Sequence, residues 1–253
     1  MSLTHEHPVY TGIGLDFETG GLNCRNNACT QIAMQAIRLD TFEIIGQYMS
    51  YFYPYSKQVL AGQKRKVLRN KQATENIGEL MEYEEAALKY SGITMDKLYE
   101  QGADLKRVAS DVIEFTRKAT LSTSKQTKPV LIGQNIWYDV GFLQQLMNYA
   151  GLLKEFEKTF SGTIDFYGNF QPHCIDTIQL GRLCFAADTS ITSYKLELVA
   201  ERLGVELDDA HDANADVTAT LNVMMVYANK MRCGNSDEIQ LHAVEKTRKH
   251  FKI

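Results

Sequence analysis

Three β-prone segments crowd into the first 53 residues: Tyr10–Phe17, Thr30–Leu39 and Glu43–Tyr53. The two connections between them are short, so consecutive strands are expected to turn back on one another as an antiparallel meander. Thr30-Gln31-Ile32-Ala33-Met34-Gln35-Ala36-Ile37 alternates at period two, as a half-buried strand does. The character of the chain then changes. Helical periodicity predicts helices near Met81–Ser91, Met95–Gln101 and Leu105–Ala119. A polar tract, Ser122 to Lys128, precedes one more apolar strand, Pro129–Gly133. Further helices are predicted near Val140–Ala150, Thr177–Phe185, Lys195–Arg202, Ala213–Met231 and Asp237–Lys249. Three antiparallel strands followed by alternating helix and strand give the α/β class, a mixed β-sheet flanked by helices. There is no internal repeat. The whole chain, 1–253, reads as one domain, with a long basic insertion near 55–78 that lacks a clean period.

Acids recur at the ends of these apolar segments. Asp16 and Glu18 close the first strand, in Gly14-Leu15-Asp16-Phe17-Glu18-Thr19-Gly20-Gly21-Leu22. They share parity, so a strand turns both carboxylates to one face. Thr19-Gly20-Gly21 then breaks the strand and lets another backbone or a ligand approach closely. Asp139 follows the strand at Pro129, in Gly133-Gln134-Asn135-Ile136-Trp137-Tyr138-Asp139. Asn135 is the expected helix cap there, with Asp139 on the first turns. His211 and Asp216 open the long helix, in Ala210-His211-Asp212-Ala213-Asn214-Ala215-Asp216. Each string has an ordinary reading: a solvated strand end, an acid favoured by a helix N-terminus, a capping residue. Together they are harder to dismiss. Carboxylates beside core segments are costly to bury, and a divalent cation compensates them directly. Acids plus one histidine suit metal-assisted phosphodiester hydrolysis.

The ordered set resembles the DEDDh family of 3′→5′ exonucleases, in the ribonuclease H-like superfamily. Within it the chain is most similar to the branch around the proofreading epsilon subunit of bacterial DNA polymerase III, ribonuclease T and oligoribonuclease. Asp16 and Glu18 match the first motif, Asp-x-Glu-Thr-Gly-Gly-Leu. Asn135 to Asp139 match the second, and His211 with Asp216 match the third, His-x-x-x-x-Asp. Ser91-Gly92-Ile93-Thr94 and the stretch from Tyr194 to Val205 resemble intervening family segments, so the likeness runs from about Tyr10 to Tyr227. Trp137-Tyr138, the basic insertion and the Cys24–Cys29 connection depart from the common pattern.

The resemblance implies a ribonuclease H-like fold and two divalent cations, Mg²⁺ or Mn²⁺. Asp16, Glu18 and Asp216 would hold one ion. Asp16 would bridge to the second, with Asp139 placing its water ligands. His211 would be the general base, and nucleoside 5′-monophosphates the product. Thr19, Gly20, Gly21 and Leu22 would cradle the terminal nucleotide, Leu22 as a wedge beside its base. Asn135 and Tyr138 would line the same cleft, while Trp137 is read as a core residue. The implied partner is a single-stranded or frayed 3′ end, with DNA taken ahead of RNA. The alternatives are ribonuclease T- or oligoribonuclease-like RNA trimming, or a non-catalytic nucleic-acid- or polymerase-binding module of the same fold. A polymerase partner and a homodimer stay open.

Composition sets the remaining bounds. A hydrophobic fraction of 44% supports an ordinary core. The net charge of −4 supplies no global basic field, which argues against a non-specific nucleic-acid binder more than against a nuclease. Local basic residues, Lys57, Lys64, Arg65, Lys66, Arg69 and Lys71, are either a phosphate track or a solvated loop. Lys246, Arg248, Lys249 and Lys252 are explained by the favourable charge at a helix end. Cys24, Cys29, Cys174, Cys184 and Cys233 show no zinc spacing and read as reduced thiols, hence a cytoplasmic location. No apolar run is long enough to span a bilayer, so no membrane association is expected.

Overall fold

The computed structural model describes residues 8–58, 77–122, 127–206 and 213–233. A five-stranded sheet organises them, in the order β3-β2-β1-β4-β7. The meander is as expected: β1 (Thr11–Thr19), β2 (Cys29–Arg38) and β3 (Ile44–Tyr51) pair antiparallel. β4 (Val130–Gly133) then runs parallel to β1, and β7 (Cys174–Asp176) parallel to β4. The C-terminal ends of β1, β4 and β7 therefore open on the same rim of the sheet, which is where ligands bind in sheets of this kind.

Strand alternation sorts the two faces. Ile13, Leu15 and Phe17 point into the main core, against α3 (Leu105–Lys118) and α4 (Trp137–Tyr149). α3 earns its place with a strongly one-sided pattern: Leu105, Val108, Ala109, Val112 and Ile113 are buried. Asp104 caps its first turn by accepting from the N–H groups of Lys106 and Arg107. On the other face α8 (Ala213–Arg232) lays Ala213, Val217, Leu221 and Met224 over Ala33, Ile37 and Ile132. That helix passes directly over Gly14. A Cβ there would stand 3.0 Å from Val217 and Leu221 side-chain carbons, so the glycine permits the close approach. Shorter helices complete the shell: α1 (Glu85–Ser91), α2 (Met95–Gln101), α5 (Leu153–Thr159), α6 (Thr177–Cys184) and α7 (Leu196–Leu203). β5 (Gly162–Ile164) and β6 (Phe170–Pro172) form a separate hairpin. The fold is ribonuclease H-like, a mixed sheet between helical layers.

Several expectations need correction or extension. The helix expected from Met81 begins only at Glu85, because Leu80 and Glu82 are taken up in isolated β-bridges to Ser56 and Asn27. α5, the β5–β6 hairpin and β7 carry no predicted counterpart; three-residue strands are too short to show a period. Trp137, expected in the core, is 54% exposed on the outer side of α4. The adjoining Ile136 fills the core position instead. Asn135 does not cap α4: Ile136 occupies the cap position and no side chain bonds the free N–H groups. The expected helix 237–249, the basic residues from Lys64 to Lys71 and the C-terminal basic cluster lie outside the described residues.

Candidate active site

Two features of β1 prepare the site. Asp16 and Glu18 are the only half-buried positions in an otherwise buried strand, and both lie on the α8 face. The pairing with β2 slips by one residue between Glu18 and Thr19, leaving Thr30 as the extra residue. Such bulges bend a strand and re-aim its side chains beside functional sites. α8, held down on Gly14, brings Asp216 from its first turn over the same face. One carboxylate oxygen from each of Asp16, Glu18 and Asp216 then lies within 4.8 Å of the other two.

Asp139 arrives from the opposite layer. It sits on the first turn of α4 and is 3% exposed. The Phe17 N–H donates to its Oδ1 at 3.0 Å. Burial pushes the Asp139 carboxyl well above the ordinary carboxylate range, and the charges of Asp16 and Glu18 push the same way. The Phe17 N–H bond opposes that shift without cancelling it. Three clustered acids and a fourth buried beside them form a donor set of hard oxygens, which fits a divalent cation such as Mg²⁺ or Mn²⁺.

The neighbouring turn, Thr19-Gly20-Gly21-Leu22, is fixed through its carbonyls. The Gly20 carbonyl accepts from the Glu84 N–H at 2.7 Å and from Asn27 Nδ2 at 3.3 Å. The Gly21 carbonyl accepts from the Thr19 hydroxyl at 2.9 Å and the Tyr138 hydroxyl at 3.0 Å. The two hydroxyls lie 2.6 Å apart, so with one proton each they supply two of these three hydrogen bonds at a time. Burial raises the Tyr138 phenol to about 12, aided by the charges of Asp139 and Glu18 and opposed by the bond to Thr19, so it stays protonated at neutral pH. Leu22 stands 84% exposed at the tip. An exposed leucine on a braced turn is available to a ligand rather than to the core.

Asn135 supplies the bend that points α4 at the site. Its φ of 55° is left-handed, a conformation asparagine tolerates better than most residues. Its N–H donates to Asp176 Oδ1 at 3.2 Å, and its carbonyl accepts from the Tyr138 N–H. Asp176 at the same time caps α6 through the Ile178 N–H. The structure thus brings Asp16, Glu18, Asp139, Asp216, Thr19, Gly20, Gly21, Leu22 and Tyr138 to one rim, with Asn135 at its edge. His211 lies outside the described residues. Sequence reasoning passed over Tyr90, which ends α1 with its phenol raised by partial burial and by the charges of Glu197, Glu18 and Asp216. Tyr90 is thus an exposed phenol within electrostatic reach of Glu18 and Asp216. The only signal for it was its place just before Ser91-Gly92-Ile93-Thr94.

Known proteins share this fold. The fold is similar to E. coli exonuclease I in complex with a dT13 oligonucleotide, with a TM-score of 0.59 and 21% identity over 88% of this chain and 41% of that one. A moderately thermophilic exonuclease I from Methylocaldum szegediense matches equally, with a TM-score of 0.59 and 21% identity over 88% and 41% of the two chains. A product-bound exonuclease I gives a TM-score of 0.61 at 18% identity, covering 88% of this chain and 44% of that one. The chain therefore spans about two fifths of the length of these enzymes. A family model described as exonuclease, RNase_T, matches residues 75–224. Asp139 and Asp216 fall inside that stretch; Asp16 and Glu18 precede it and join them only in three dimensions. The chain belongs to the RNase_T exonuclease family, a DEDDh-type family.

Proposed function

We propose that the protein is a metal-dependent 3′→5′ exonuclease that releases nucleoside 5′-monophosphates from single-stranded or frayed 3′ ends. The observation that carries this reading is the convergence of Asp16, Glu18 and Asp216 within 4.8 Å, next to a braced turn. Acids so close repel one another, and they are tolerable together when a cation is bound among them.

Asp16, Glu18 and Asp216 would hold one divalent cation, and Asp16 with Asp139 would serve a second. Cations held there supply positive charge for the phosphodiester oxygens and acidity for an attacking water. The chain's own groups do the rest. Asp139, kept in place by the Phe17 N–H, orients what approaches from the α4 side. His211 takes the proton of the attacking water as general base. Thr19, Gly20, Gly21 and Leu22 receive the terminal nucleotide, and Tyr138 presents a protonated hydroxyl without adding negative charge to an acidic wall. Asn135 lines the same cleft. The whole chain, 1–253, would act as one exonuclease domain. Exonuclease I, which shares the fold, is crystallised with dT13, and this supports DNA ahead of RNA here.

Digestion of 3′- and 5′-labelled single-stranded DNA, duplex DNA, mismatched duplex and short RNA tests the reading, with Mg²⁺ or Mn²⁺ and with EDTA. Stepwise loss of mononucleotides from a free 3′-OH, abolished by EDTA, is expected. Cleavage of circular DNA would make the protein an endonuclease. Undiminished cleavage in EDTA would remove the metals from the reaction.

A further inference from the structure

Asn27 lies in the connection between β1 and β2, 1% exposed, at the meeting point of three elements that border the cleft. Its Nδ2 donates to the Gly20 carbonyl at 3.3 Å and to Glu84 Oε1 at 3.0 Å, so both amide protons have acceptors. Its Oδ1 accepts from the Asn23 N–H at 2.9 Å. Its backbone carbonyl accepts from Gln145 Nε2 of α4 at 2.9 Å. Glu84 completes the arrangement by donating its own N–H to the Gly20 carbonyl at 2.7 Å. A Cβ on Gly21 would collide with both the Asn27 amide and the Glu84 carboxylate, so the turn is packed directly on the pair.

The need for such a connection is visible in α1. This helix, which begins right after Glu84 and carries Tyr90, has no buried residue. Apolar packing therefore does little to hold it beside β1. Polar bonds at its N-terminal approach do instead: Ala28 N–H to the Glu82 carbonyl, Glu82 N–H to the Asn26 carbonyl, and the two bonds of Glu84. Each links α1 to the β1–β2 connection.

We propose that Asn27 and Glu84 are positioning residues, a latch that fixes the Gly20-Gly21-Leu22 turn and the α1 wall in register to receive the terminal nucleotide. The inference rests on the exonuclease reading of the site. Neither residue is among the proposed cation ligands. The latch acts through the turn: with it intact, the Gly20 carbonyl is engaged by both Asn27 and Glu84 and the substrate meets a preformed edge. Without the side-chain bond, backbone bonds alone hold the turn to the approach of α1, and the nucleotide must order the edge further on binding.

The decisive variants are on the surface side of the pair. Glu84 is exposed, so Glu84→Ala spares the core, whereas Glu84→Gln keeps an oxygen acceptor for Asn27. Glu84→Ala should weaken binding of thymidine 5′-monophosphate in Mn²⁺ by about 10- to 100-fold, the worth of a hydrogen bond to a charged group. It should raise KM on a short oligonucleotide and leave kcat and Mn²⁺ affinity near wild type. Glu84→Gln should restore nucleotide binding. Asn27→Ala with Glu84→Ala should be no worse than Asn27→Ala alone, because the two act as one unit. Hydrogen exchange over residues 19–23 should accelerate in Glu84→Ala and not in Glu84→Gln. Wild-type nucleotide affinity and exchange in Glu84→Ala, or additive effects of the two alanines, would overturn the latch. A wild-type protein that neither binds nucleotide nor cleaves any substrate would overturn the exonuclease reading. The exchange difference would then still decide whether the latch exists.

Discussion

Asp139 offers a test of the site that needs no substrate. Its carboxyl is buried, and both burial and the charge of Asp16 hold its pKa well above the value it has in an unfolded chain. A raised native pKa means that the native state keeps a proton which the unfolded state has released. Stability from this group is therefore full below the unfolded value, about 3.9, and declines as pH rises towards the native one. One proton of difference gives a slope of about 1.4 kcal/mol per pH unit. As pH rises from 4 through 6 the metal-free protein should therefore lose stability from Asp139. For a chain of this size each kcal/mol lost is a fall of about 2–4 °C in Tm. Asp139→Asn keeps the shape and an oxygen for the Phe17 N–H but cannot ionise. The expected result is that the variant, compared with wild type in EDTA, gains stability steadily across this pH range. Mn²⁺ should then restore the wild type at pH 7 more than it raises the variant, by mass action on the folded state. Thermal unfolding followed by circular dichroism, at half-unit pH steps, measures both. A wild-type-minus-variant difference that is flat in pH, or a variant less stable than wild type at pH 7, would refute the argument that this carboxylate is held at a cost awaiting a cation.

Other expectations are read by simpler measurements. His211→Ala should lower kcat by about 10²–10⁴-fold and leave Mn²⁺ affinity intact, and the acid limb of the kcat–pH profile should disappear with it. Tyr138→Phe removes one donor to the Gly21 carbonyl, so KM on a short oligonucleotide should rise by roughly 2- to 12-fold, the equivalent of one neutral hydrogen bond. Gly14→Val forces side-chain carbon into Val217 and Leu221; overpacking should cost about 1–3 kcal/mol in urea unfolding. It should also abolish saturable Mn²⁺ binding by lifting Asp216 away from Asp16 and Glu18, and a variant with normal metal affinity would show that α8 is not what sets the cluster.

Much of this was legible in the sequence because the relevant signals are local. Parity alone put Asp16 and Glu18 on one face, and they are the two half-buried residues of β1. The short connections gave the meander, but the period-two alternation of Thr30–Ile37 was misleading about burial: β2 is not half-buried but covered on both faces, because α8 packs on the side opposite the main core. What the sequence withheld depends on contacts between distant segments. Trp137 was placed inside because it is large and apolar, yet the helix turns Ile136 inward and leaves Trp137 out. Asn135 was read as a cap from its residue type, whereas its use here is conformational: a left-handed residue that steers the chain from β4 into α4. Asn27 and Glu84, separated by 57 positions, carry no motif at all, and only the folded chain joins them. His211 was legible as a motif letter, and its placement lies outside the described residues.

The same comparison explains why the site tolerates such concentrated charge. The acids are not carried by one element. β1 supplies two from its end, α8 lays a third over one face, and α4 inserts a fourth from the opposite layer. Each element is independently anchored by apolar contacts, β1 in the main core through Ile13, Leu15 and Phe17, α8 over Ala33 and Ile132, and α4 against Phe17 and its neighbours. Repulsion among the carboxylates is thus borne by the packing of the whole sheet rather than by a loop that could yield to it. That rigidity is what a pre-arranged cation site requires, since oxygens that could drift apart in the empty protein would have to be gathered again, at a free-energy cost, with each ion bound. The turn opposite is built differently, on polar links and an α1 without a buried side chain. On the proposed reading the division follows the chemistry: an apolar-anchored charge cluster to hold cations, and an edge fixed by hydrogen bonds to receive the terminal nucleotide.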